Sequence, residues 1–96
     1  MNFFVDFETV IGPVRVVAAV GGEIQVFFPS EDEPAATLGF LVFERQPSNY
    51  VVWNEMIQRA VEWLLLTNPH MEIHGLTFGS RQPVSLDRLL DSRNFL

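Results

Sequence analysis

The hydrophobic period of this chain changes near Ser48, and that change constrains the fold more than any other feature. Before Ser48, apolar residues recur at every second position, the repeat of a strand with one buried face. After it they recur three and four apart, the repeat of a helix with one apolar stripe. Residues 3–10 alternate, with Phe3, Val5 and Phe7 on one side and Asp6 and Glu8 on the other. Residues 14–20 are rich in Val and predict a second strand. Residues 23–28 predict a third, and residues 36–45 a fourth. In the fourth, Leu38, Phe40 and Val42 face one way and Leu41 and Phe43 the other. Gly12-Pro13 and Gly21-Gly22 are turn signals between strands, so the first half predicts an antiparallel meander.

Ser48 has the hydroxyl that a helix start needs to satisfy an orphan amide. Beyond it, Trp53, Met56, Ile57, Ala60, Val61 and Leu64 form one stripe, with Asn54, Glu55, Gln58, Arg59 and Glu62 opposite. Glu55 and Arg59 are spaced i,i+4 in the orientation that favours an ion pair. Asn68-Pro69 ends the helix, because proline disfavours helical geometry in the residue before it. Residues 71–78 predict a fifth strand whose apolar phase shifts across Gly75, the mark of a bulge. Ser85 is placed to cap a short C-terminal helix carrying Leu86, Leu89 and Leu90. The expected fold is α+β, in the order β-β-β-β-α-β-α, with one long amphipathic helix on a four- to five-stranded antiparallel sheet.

The chain has 96 residues, enough to bury about 65% of its extended surface and to build one core, so residues 1–96 are expected to form a single domain. It has no cysteine, which removes disulfides, thiolate metal sites and a cysteine nucleophile. All six cationic residues are Arg, as in a bacterial or phage genome that codes Arg in preference to Lys. Without lysine there is no Schiff base and no P-loop. A net charge of -6 makes a nucleic-acid backbone an unfavourable partner. The N-terminus lacks a basic secretory n-region, and no apolar run approaches the roughly 20 residues of a membrane span. A soluble, cytoplasmic protein is the expectation.

The turn signals also predict register. With Gly21-Gly22 as a two-residue loop, Val20 opposes Glu23 and Val16 opposes Phe27. With Gly12-Pro13 as the other, Thr9 opposes Val16. One face then holds Phe3, Val5, Phe7, Ile11, Val14, Val16, Ala18, Val20 and Phe27, the expected core. The second holds Phe4, Val10, Val17, Ala19, Ile24, Val26 and Phe28 beside Asp6, Glu8 and Arg15. That second face is too apolar to stay bare, so either the short C-terminal helix covers it or, as the favoured expectation, another chain does, a homodimer mate or a partner.

No motif identifies an activity. His70-Met71-Glu72-Ile73-His74 places three metal-ligand side chains on one face of a strand, but His70 and His74 would stand about 13 Å apart at Cα. Gly75-Leu76-Thr77-Phe78-Gly79 has nucleophile-elbow spacing without the parallel sheet that motif requires. The expected function is a non-enzymatic protein–protein interaction module: an adaptor, chaperone or inhibitor without a cofactor. Its expected contact residues are Phe4, Val17, Ile24, Val26 and Phe28 on the sheet, Glu31, Asp32 and Glu33 in the acidic loop, and Trp63 at the edge of the helix stripe. Val52 and Leu66 share that helix edge. The alternative is a metal-binding protein or metal-dependent enzyme using His70, Glu72 and His74.

Overall fold

The structure is a computed structural model and describes residues 1–81. Five strands and one helix follow in the order β1 (Asn2–Thr9), β2 (Gly12–Ala19), β3 (Glu23–Phe27), β4 (Ala36–Phe40), α1 (Asn49–Thr67) and β5 (Ile73–Arg81). The sheet order is β4-β3-β2-β1-β5, with every neighbouring pair antiparallel. A four-stranded meander is thus extended by β5, which α1 delivers from the β4 edge to the far side of β1. This is the α+β architecture that the change of period predicts. The C-terminal helix expected from Ser85 lies outside the described residues.

The first hairpin turns at Val10-Ile11, so Thr9 pairs with Gly12, Phe7 with Val14 and Val5 with Val16. Thr9 is buried and closes the turn with its own hydroxyl, donating to the Gly12 carbonyl at 2.8 Å and accepting from the Ile11 amide at 3.2 Å. Gly12-Pro13 therefore belongs to β2 and not to the loop. Thr9 was expected opposite Val16, four positions further on; an even shift leaves each strand side chain on its expected face. Ile11 and Val20, expected in the core, lie in the two turns and are exposed.

The second hairpin differs by one position, and the consequence is larger. Val16 pairs with Val26, not Phe27. The Gly22 amide donates to the Ala19 carbonyl at 2.8 Å with Gly21 at φ 85°, the positive value that a type II turn needs at its third residue. The same two glycines are held from outside: the Gly21 amide donates to the Leu41 carbonyl at 2.7 Å, and the Leu41 amide to the Gly22 carbonyl at 2.8 Å. An odd shift exchanges the faces of a strand. Ile24 and Val26 are fully buried under the helix, and Glu23, Gln25 and Phe27 point to the opposite side.

β4 ends at Phe40, short of the expected residue 45. Its register slips between Gln25↔Thr37 and Glu23↔Phe40, with Gly39 in the slip at φ 82°. The extra residue separates two side chains expected on one face. Leu38 packs against the core, whereas Phe40 is exposed. Leu41, just past the strand, is fully buried.

Helix α1 starts as its sequence dictates: the Ser48 hydroxyl oxygen accepts from the Val51 amide at 3.4 Å. It ends where the Asn68 amide reaches the Leu64 carbonyl at 2.8 Å, directly before Pro69. Val52, Met56, Ala60 and Leu64 form the buried stripe. Val52 thus sits at the centre of that stripe and not at its edge. Burying side chains the size of Val, Met and Leu is worth about 1.5–3 kcal/mol each, so this stripe is what fastens the helix to the sheet. Opposite it lie Phe3, Val5, Phe7, Val14, Val16, Ala18, Ile24 and Val26. The two tryptophans anchor the helix ends. Trp53 stacks edge-on to Phe3 at 5.9 Å and donates its indole N–H to the Gly79 carbonyl at 3.0 Å. Trp63 packs on Phe28 at 5.9 Å.

Candidate functional site

The helix occupies one face of the sheet and leaves the other open among the described residues. The registers place Phe4, Asp6 and Glu8 of β1, Arg15 and Val17 of β2, and Gln25 and Phe27 of β3 on this open face. Thr77 and Gly79 of β5 complete it, opposite Asp6 and Phe4.

Two shallow depressions adjoin on this face. One, of about 550 Å³, is lined by Asn2, Phe4, Arg15, Val17, Ala19 and Gln25 among others. The second, of about 520 Å³, is lined by Asp6, Arg15, Val17 and Phe27, with Glu31 and Asp32 at its rim. Arg15 and Val17 line both, so they stand between them.

Arg15 is fixed in place. Its Nε donates to Asp6 Oδ1 at 2.8 Å and its Nη2 to Asp6 Oδ2 at 2.7 Å, a two-pronged cross-strand pair. Its guanidinium carbon lies 5.1 Å from the centre of the Phe4 ring, in cation–π range. The hydrogen bonds to Asp6 raise the guanidinium pKa above its ordinary value, partial burial opposes this, and the Asp6 charge adds to it. Arg15 therefore stays charged wherever the chain is folded. Phe4 in turn leans across Gly79, where a Cβ would meet the ring at 2.8 Å. Glycine at this strand position is what lets the ring lie flat on the sheet.

The acidic loop is held at the rim by its own turn. The Glu31 amide donates to the Phe28 carbonyl at 3.2 Å, with Ser30 at φ 63°. A non-glycine residue rarely takes a left-handed φ, so local contacts hold the loop in one shape. Asp6, Glu8, Glu23, Glu31 and Asp32 bring five carboxylates to the face and its rim. Arg15 neutralises one of them.

Of the residues expected to contact a partner, Phe4 and Val17 lie on the open face, and Glu31 and Asp32 line its second depression. Glu33 is exposed in the same loop but does not line either depression. Ile24 and Val26 do not belong there: the one-residue register difference buries both in the core. Phe28 packs on Trp63 against the core and also borders the second depression, whereas Trp63 lines neither depression. Sequence reasoning missed Phe27 and Gln25 for the same reason, and it read Arg15 only as a charge among apolar neighbours. The alternation that sets Asp6 and Arg15 on one face was the available signal for their pairing.

The metal set is not assembled. β5 begins at Ile73, so His70 and Glu72 precede the strand that was expected to align them. Glu72 Oε2 and His74 Nε2 approach to 3.8 Å, both well exposed. Among the described residues no three His, Asp or Glu side chains gather as a metal site. Thr77 lies within antiparallel β5, opposite Asp6, and not at a strand-to-helix turn. Among the described residues no helix is long and apolar enough to cross a membrane.

Compared with known proteins, the chain matches no family model, no curated protein and no solved structure.

Proposed function

We propose that this chain is a non-enzymatic protein–protein interaction module that holds its partner on the helix-free sheet face. The adjoining depressions over Phe4, Val17 and Phe27, bordered by carboxylates, are the observation that carries this reading. Interfaces commonly pair an apolar centre with a polar, charged rim. The centre here is small and the rim is negative, so the complementary partner carries apolar side chains flanked by Arg or Lys. A second copy would bring its own carboxylates against these, which like-charge repulsion opposes. The face thus favours a different, basic protein over a face-to-face homodimer. Adaptor, chaperone and inhibitor roles all use such a surface.

The test is affinity capture from the native source with three baits: wild type, Val17→Arg, and Glu31→Gln/Asp32→Asn/Glu33→Gln. One basic protein retained by wild type, lost with Val17→Arg and weakened with the loop variant supports the reading. Weaker retention as salt rises belongs to the same expectation, because salt screens exposed charges. The same protein retained equally by all three baits overturns it, as does repeated failure to capture any.

A further inference from the structure

The two edges of this sheet are treated differently. β4, at one edge, is five residues long and is bulged at Gly39. Arg59 of the helix covers it, its Nη1 donating to the carbonyls of Leu38 at 3.2 Å and Phe40 at 2.9 Å. Short length, a bulge and a covering charge are the usual means of keeping an edge from pairing. β5, at the other edge, is nine residues long and contains no Pro, Asp, Glu or Lys. Its bulge at His74 lies near one end, and pairing with β1 is regular from Gly75 to Arg81. The outer side of β5 has no strand partner among the described residues.

The side chains along this edge are incompletely covered. Leu76 and Phe78 oppose the core residues Phe7 and Val5 on the helix side of the sheet. Yet they remain 43% and 44% exposed, although Trp53 of α1 lies 4.9 Å from the Phe78 ring. A strand added outside β5 would cover both.

We infer that β5 pairs antiparallel with β5 of a second copy, joining two sheets edge to edge about a two-fold axis at Thr77. The sequence is self-complementary about that residue. Thr77 meets its own mate, Leu76 meets Phe78 of the second copy and Phe78 meets Leu76, while Gly75 meets Gly79. Aliphatic–aromatic and Thr–Thr pairs are favourable cross-strand neighbours, and no two acidic side chains oppose each other along β5. A two-fold interface requires this reciprocity. The Gly79 carbonyl already accepts the Trp53 indole N–H, and its second lone pair remains for a ladder bond. This pairing is independent of partner binding on the helix-free face, which it leaves open and extends across two copies.

The absence of cysteine gives a direct test. In antiparallel strands, opposed residues stand about 4.5 or 5.5 Å apart at Cα, both within disulfide reach. Three measurements are needed: the mass of wild type in solution at micromolar concentration, and oxidative cross-linking of Thr77→Cys and of Val17→Cys. The expected results are twice the 11.0 kDa chain mass for wild type, a disulfide dimer for Thr77→Cys, and none for Val17→Cys. Leu76→Glu, which places a carboxylate at the junction, is expected to return the chain to its monomer mass with its helix content unchanged. A wild-type monomer overturns the inference. A dimer cross-linked through Val17→Cys, or one in which Thr77→Cys stays reduced, also overturns it.

Discussion

At Trp53 one side chain joins three parts of the molecule. Its ring meets Tyr50 on the helix at 5.7 Å, Phe3 on β1 at 5.9 Å and Phe78 on β5 at 4.9 Å, and its N–H holds the Gly79 carbonyl. Trp53→Phe keeps an aromatic body there and removes the donor. A net hydrogen bond of this kind is worth about 1 kcal/mol, so urea unfolding is expected to show a loss of that size with an unchanged m-value. No loss would mean that the bond adds nothing to packing. Residue-scale features were legible wherever the physics is local. The Ser48 cap, the Asn68-Pro69 stop and the Glu55–Arg59 pair, at 2.8 Å, each depend on residues a few positions apart. The second role of Arg59 was not legible, because the carbonyls it reaches belong to a strand some 20 residues away.

At the scale of elements, β4 depends on that arginine. Its five residues carry one bulge and include no fully buried side chain, and two charged hydrogen bonds from the helix hold its carbonyls. Arg59→Ala is expected to speed amide exchange across residues 36–40 by at least about tenfold, equivalent to about 1.4 kcal/mol, with β1 and β2 unchanged. Uniform exchange change across all strands would contradict this local role. The two hairpins show why strand existence was readable and register was not. Hydrophobic alternation fixes which residues form strands, but partners depend on the turn, and both turns were placed wrongly. In the first hairpin the shift of partner was even, so Phe3, Val5 and Phe7 still face the core. In the second it was odd, and Ile24 and Val26 exchanged faces with Gln25 and Phe27. Leu41 also bonds the Gly21-Gly22 backbone, a tertiary contact that the dipeptide itself does not encode.

For the whole molecule, that single position of register determines the character of the candidate site. With Ile24, Val26 and Phe28 on the open face, the surface would be a broad apolar patch suited to a second copy. With Ile24 and Val26 on the helix side, the face keeps Phe4, Val17 and Phe27 around the Asp6–Arg15 pair, and carboxylates dominate its border. The net charge of -6 is therefore more than a solubility term, because part of it gathers where a partner is proposed to sit. The self-association proposed above lies at the β5 edge and not on the face, because Leu76 and Phe78 remain half-exposed there. The helix-free face depends on Val26 pointing inward and Gln25 outward. Because the chain has no cysteine, Val26→Cys and Gln25→Cys each introduce one thiol, and their labelling rates under native conditions report which side is covered. A core thiol reacts only when the structure opens, so Val26→Cys is expected to label at least about 100-fold more slowly than Gln25→Cys. Equal rates, or the reverse order, would contradict the register and the binding face built upon it.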